Sequence, residues 1–241
     1  MSLGLSPNPA RIRELFYSYP VAAIAGLGSA QIIDVPVDNQ ARMDPKKLRE
    51  LLESALRDNR AIYSVVAIIG STEQGAVDPL TEVLELRTEF EKRGLDFVIH
   101  CDAAWGGYFA SCVRDPPPKL EEDMKGEPEY VPTLAVSPYT RKQLLALVQA
   151  DSITIDPHKS GYCPYPAGGL CYKDGRMRYL VTWTSPVVFR GADVTESIGV
   201  YGVEGSKPGA AAGMSLPPFV TDVRLIPCSW CLALTPGARS Q

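Results

Sequence analysis

The sequence predicts an α/β fold, a mostly parallel sheet flanked by helices, on three observations. Short β-branched apolar runs alternate with amphipathic ones, capping residues stand at the junctions, and reactive residue types fall just after the apolar runs. Residues 31–37 read as the first strand. Asp44-Pro45 opens a helix to about Asp58, because Asp supplies a cap acceptor and Pro a preset φ, while Leu48, Leu51, Leu52 and Leu56 share one face opposite Lys, Arg and Glu. Residues 61–70 are β-branched and predict a buried strand. In the loop that follows, Asp78 is placed to cap a helix opened by Pro79, running from Leu80 to Arg93 and closed by Gly94. Residues 97–101 predict the next strand, 141–150 a helix, 152–155 a strand and 169–172 a strand beside it. Residues 114–138, rich in Pro, Glu and Lys and starting with Pro116-Pro117-Pro118, read as a surface insertion, since the same rhythm resumes beyond them.

Composition bounds the function. A chain of 241 residues with 45% apolar residues, 22% charged residues and a net charge of −4 is an ordinary globular one, and its acidity argues against nucleic acid as a partner. No run reaches the roughly eighteen apolar residues of a membrane span, so no membrane partner is expected. Residues 21–30 follow Arg11 and Arg13 and imitate a secretory leader, but they are rich in Ala and Gly instead of Leu. The six cysteines form no dense framework and are read as reduced thiols of a cytoplasmic protein. Cys228 and Cys231 have the spacing of half a zinc site with no second pair, so no metal is expected.

The chemistry concentrates in two short segments, His100-Cys101-Asp102-Ala103-Ala104 and Asp156-Pro157-His158-Lys159, which contain both histidines of the chain. A carboxylate and an amine, each following a strand, are the two protein groups that pyridoxal phosphate needs most: an amine to form an imine with its aldehyde and a carboxylate to keep its ring nitrogen protonated. Gly161, Gly168 and Gly169 are read as serving backbone geometry, and Tyr162 and Tyr165 as half-buried turn aromatics, with Tyr165 also a candidate to shape a substrate site.

Residues 151–170, from Asp151 through Lys159 to Leu170, together with the segments around Phe16, Thr72 and Asp102, closely resemble the group II pyridoxal-dependent amino acid decarboxylases, and among them the tyrosine decarboxylases. The resemblance runs from about Phe16 to Ala212. It implies the large domain of the pyridoxal phosphate-dependent transferase-like fold (fold type I), incomplete here, with residues 1–213 as a partial cofactor-binding domain and 214–241 as a divergent, disordered tail. It implies that Lys159 is the Schiff-base lysine, Asp102 the partner of the pyridine nitrogen, Ala104 the small residue on one ring face and His158 a cofactor contact. It sets Thr72 near the ring and Ser206 at the cofactor phosphate from a partner subunit, and it implies a homodimer.

The chain departs from the family's pattern in three places. Phe16 stands where relatives carry a stacking histidine; a phenyl ring stacks but moves no proton. Val187 stands where relatives carry a tyrosine that returns a proton to the α-carbon. The family's phosphate-binding segment before Phe16 and the small domain after about Ala212 have no counterpart. The expected activity is decarboxylation of an L-amino acid, aromatic and most simply tyrosine. Two alternatives stand beside it: a truncated, catalytically incompetent homologue that only dimerises, or an enzyme of glutamate or aspartate or one forming aldehydes. The acidic reading calls on Arg176, Arg178 or Arg190 to receive a side-chain carboxylate.

Overall fold

A computed structural model describes residues 22–113, 136–165 and 167–181. These fall into two compact units, one ending at Asp102 and the other beginning at Ala103. In the first, helix α1 spans Pro45–Arg57, strand β1 Ser64–Ile68, helix α2 Leu80–Glu91 and strand β2 Val98–Asp102. The second holds a 3-10 segment over Gly106–Val113, helix α3 over Pro138–Ala146, strand β3 over Ser152–Ile155, strand β4 over Gly169–Tyr172 and a last 3-10 segment over Gly175–Val181.

The α1 prediction holds at both ends. Asp44 accepts a hydrogen bond from the Lys46 amide, Pro45 opens the helix, and Leu48, Leu52 and Ala55 are buried. Residues 31–37, predicted as a strand, form none: Pro36 has no N–H to give a ladder, and Asp38 instead folds the chain into a turn, its carboxylate accepting from the amides of Gln40 and Arg42 while Val37 bridges Met43. The predicted strand over 61–70 shortens to β1, and its burial alternates: Val65 and Ala67 face the core while Ser64 and Val66 are exposed. One face of this strand is open among the residues described here.

β1 and β2 pair in parallel, Ser64 against Val98 through Ile68 against Asp102, as a crossover through α2 requires. Asp78 does not stand at the cap position of α2. Pro79 holds the cap position without a side-chain bond, and the buried Asp78 carboxylate accepts instead from the amides of Met43 and Ile68, both at 2.8 Å. It ties the α1 approach to β1, a role that local spacing does not reveal. Gly94 ends α2 at φ +90, as predicted for a C-cap glycine. Across α1 and α2, Arg49 grips Glu89 and Arg93 grips Glu53, each through two hydrogen bonds, and both guanidiniums lie over the Phe90 ring.

In the second unit, α3 starts earlier than predicted because Ser137 accepts from the Thr140 amide and Pro138 takes the first helical position; the last two residues assigned to the insertion thus serve the helix. The helix ends at Ala146 and tightens into a 3-10 turn over Leu147–Gln149. β3 matches its prediction and pairs antiparallel with β4, Ser152 against Tyr172 through Ile155 against Gly169. The rest of the insertion, residues 114–135, and the tail, 214–241, lie outside the described residues. No helix among the described residues is long and apolar enough to cross a membrane.

Candidate active site

β3 is short because Pro157 follows Asp156: proline has no amide to continue the ladder, and the chain turns at once. The turn is held by its own backbone, with the Lys159 amide donating to the Asp156 carbonyl at 3.0 Å and the Cys163 amide to the Pro157 carbonyl at 3.0 Å. Its position is fixed from residues 103–108. The Ala103 amide donates to the Thr154 carbonyl, the Asp156 amide to the Ala104 carbonyl, and the Ser160 hydroxyl to the Trp105 carbonyl. Two glycines permit this packing. A Cβ on Gly161 would come within 2.7 Å of the Pro157 carbonyl oxygen and 2.8 Å of the Tyr108 ring, and one on Gly107 within 2.9 Å of Ile155. Gly161 serves backbone approach, as its sequence context suggested.

The reactive side chains gather inside this frame. The Lys159 amine lies 3.0 Å from an Asp156 carboxylate oxygen, and His158 Nε2 lies 3.7 Å from the same oxygen. His158 Nδ1 meets the Ala167 carbonyl, and the Tyr165 ring packs on the imidazole with centroids 4.0 Å apart. The side chains of Asp156 and His158 are largely buried, at 17% and 13% exposure, whereas that of Lys159 is 36% exposed. Lys159 is thus a reachable amine backed by sheltered polar groups. A Cβ on Gly168 would reach 3.4 Å from the Asp156 carboxylate, so the small residue keeps that side open. Burial pushes the neighbouring Cys163 thiol above its usual range, which suits a packing role.

Tyr162 and Tyr165 are not the half-buried aromatics expected. Tyr162 is 94% exposed, turned outward by a positive φ of 56, and Tyr165 is 72% exposed while stacked on His158. The structure therefore unites Lys159, His158 and Tyr165, with Ala104 half-buried and bonded through its carbonyl to the strand end that carries them.

Asp102 ends β2 in the first unit. It is half-buried, and its carbonyl accepts from the Ile69 amide. His100, two residues earlier and so on the same strand face, is pushed below the usual histidine range by burial, against the raising influence of the Asp102 carboxylate. Thr72 lies exposed in the turn after β1, whose backbone is closed by Ser71 and Ala76: the Ser71 hydroxyl accepts from the Ala76 amide at 3.0 Å. Phe16, Val187, Arg190 and Ser206 lie outside the described residues.

Sequence reasoning missed Asp156 as a member of this cluster. The signal was present, a carboxylate three residues before a lysine across an X-Pro turn. The donor set in the second unit fits pyridoxal phosphate: a reachable amine for its aldehyde, an imidazole braced by a carbonyl beside that amine, and a small half-buried alanine. Among the described residues, no group of three or more His, Cys, Asp or Glu is arranged to hold a metal ion.

Comparison with known proteins agrees with this chemistry. Residues 17–121 match the model of the pyridoxal-dependent decarboxylase conserved domain. The chain is 39% identical over 210 residues to L-tyrosine decarboxylase of Levilactobacillus brevis, covering 81% of this chain and 33% of that protein. It is 38% identical, with the same coverage, to L-tyrosine decarboxylase of Enterococcus faecalis. Aspartate 1-decarboxylase of Aliivibrio fischeri is 30% identical over 196 residues, covering 81% of this chain and 30% of that protein. The crystal structure of mouse CSAD in apo form shares the fold, with a TM-score of 0.59 and 22% identity over 85% of this chain and 36% of that one. The chain spans about a third of the length of the curated relatives it matches. On the aligned motifs and the arrangement around Lys159, it belongs to the group II pyridoxal phosphate-dependent amino acid decarboxylase family.

Proposed function

We propose that this chain carries the cofactor-binding lysine of a pyridoxal phosphate-dependent carboxy-lyase acting on an L-amino acid, with tyrosine as the substrate. The observation that carries the reading is the Lys159 amine, reachable from solvent yet held 3.0 Å from Asp156 in a turn fixed by residues 103–108. Lys159 would hold the cofactor through its amine, Asp102 would pair with the ring nitrogen, Ala104 would lie against the ring and His158 would contact the cofactor. Thr72, Phe16 and Ser206 complete the cofactor contacts in this reading, and Tyr165 lines the substrate side. Pyridoxal phosphate, when bound, supplies the electron sink for the charge left on the α-carbon when carbon dioxide departs. The protein is proposed to be cytoplasmic and to work as a homodimer.

The tyrosine assignment rests on the two relatives near 39% identity. The relative named for aspartate is more distant, and Arg176, proposed by sequence as a partner for an acidic side chain, is already engaged by Asp174 through several hydrogen bonds. That pairing holds the Asp174 carboxyl at about 2.

The test is to add pyridoxal phosphate, reduce with borohydride and locate the pyridoxyl group by peptide mass spectrometry, then to follow carbon dioxide release from tyrosine, aspartate and glutamate. The reading expects the label on Lys159, none of it in Lys159→Ala, and the fastest release from tyrosine. A label scattered over surface lysines in both proteins overturns it. A label on Lys159 without carbon dioxide release from any of the three supports the incompetent homologue instead.

A further inference from the structure

We propose that Asp156 is the counter-ion and positioning residue of Lys159. The inference rests on the proposed role of Lys159 and adds a residue to that site. Three features of Asp156 support it. Its backbone is pinned, since the Asp156 amide donates to the Ala104 carbonyl and the Asp156 carbonyl accepts from the Lys159 amide. Its carboxylate is sheltered, at 17% exposure, while the amine it holds is 36% exposed. The same carboxylate oxygen is 3.0 Å from Lys159 and 3.7 Å from His158, so one anion serves both neighbours. An aspartate placed only to end a strand would face water or backbone amides, as Asp38 does in its turn.

The arrangement has a chemical consequence. A carboxylate 3.0 Å away keeps the Lys159 amine in place and competes with any other partner for it. The short side chain and fixed backbone of Asp156 limit where the amine rests, which a longer or freer acid would not do.

The experiment uses the chain without cofactor. Lysines are acetylated with an N-hydroxysuccinimide ester at neutral pH, and the rate at Lys159 is read by peptide mass spectrometry against the exposed Lys92 as internal reference. Asp156→Asn is expected to raise the Lys159 rate on the order of fivefold, the scale of a partly exposed ion pair. In the unaltered chain the rate should climb toward the variant's as salt is added, and in the variant salt should have little effect. Asp156→Glu should restore much of the protection. Equal rates in the unaltered chain and the Asn variant overturn the proposal. So does a faster rate in the variant with no salt dependence in the unaltered chain, because that marks a loosened turn and not a lost charge. If the Asn variant fails to fold, the salt response of the unaltered chain still decides. Failure of pyridoxal phosphate to label Lys159 overturns the proposed function and leaves this result standing, so the two failures are distinguishable.

Discussion

Asp78 stands just before α2 and Asp156 just after β3, and both are sheltered, yet they do opposite work. Asp78 is 3% exposed, and its carboxylate accepts from two backbone amides, Met43 and Ile68, that belong to different segments. Asp156 turns its carboxylate to two basic side chains, Lys159 and His158. Amides cannot give up their protons, so the first carboxylate fixes architecture. The second holds a reachable amine in place. The difference teaches that in this molecule a buried acid is recognised as structural or chemical by what donates to it and not by its burial.

The sharpest way to break the comparison is Asp78→Ala, which strands one buried and one part-buried donor, a buried one costing roughly 1–3 kcal/mol. Chemical denaturation should show the midpoint falling with little change in slope, and a loss below about 1 kcal/mol would remove Asp78 from the structural class. Next comes Gly161→Ala. Its Cβ would meet the Pro157 carbonyl oxygen and the Tyr108 ring, and overpacking costs about 1–3 kcal/mol. It should also displace the turn, so pyridoxal phosphate labelling of Lys159 should fall together with thermal stability. Labelling that survives a clear drop in melting temperature would show that the lysine does not depend on this packing.

His100 provides a smaller, pH-resolved effect. Its folded-state value lies below the ordinary 6.5, so between the two values the unfolded chain binds more protons than the folded one. Stability therefore rises with pH through that window and is lost as pH falls below about 6.5 toward the folded value. His100→Gln should flatten the stability profile there, and an unchanged slope would contradict the burial of this ring. The smallest effect is expected at the α1–α2 staple. Glu53→Gln breaks a bidentate pair with Arg93 that lies open to water, and its effect on the melting temperature should be less than that of any substitution above and vanish at high salt.

How much was legible beforehand follows the range of the forces involved. The α1 cap, the Gly94 terminus and β3 were read correctly because each depends on residues within a few positions of one another. Residues 31–37 were misread because β-branched composition does not say whether a partner strand exists, and Pro36 with the Asp38 turn decided against one. The motif singled out Lys159 and His158 as residues just after a strand, whereas the exposure of Tyr162 and the stacking of Tyr165 on His158 depended on the path of the turn.

The sequence by itself determined the alternation of helices and strands, the residue types at the strand ends and the place of His158 and Lys159 just after β3, since these are properties of local pattern and chemical kind. Only the tertiary structure decided that Asp78 joins Met43 to Ile68, that residues 103–108 fix the turn after β3, and that Asp156 holds Lys159. A hydrogen bond or ion pair acts over about 3 Å, and which donor comes that close to which carboxylate is set by how the chain folds back on itself.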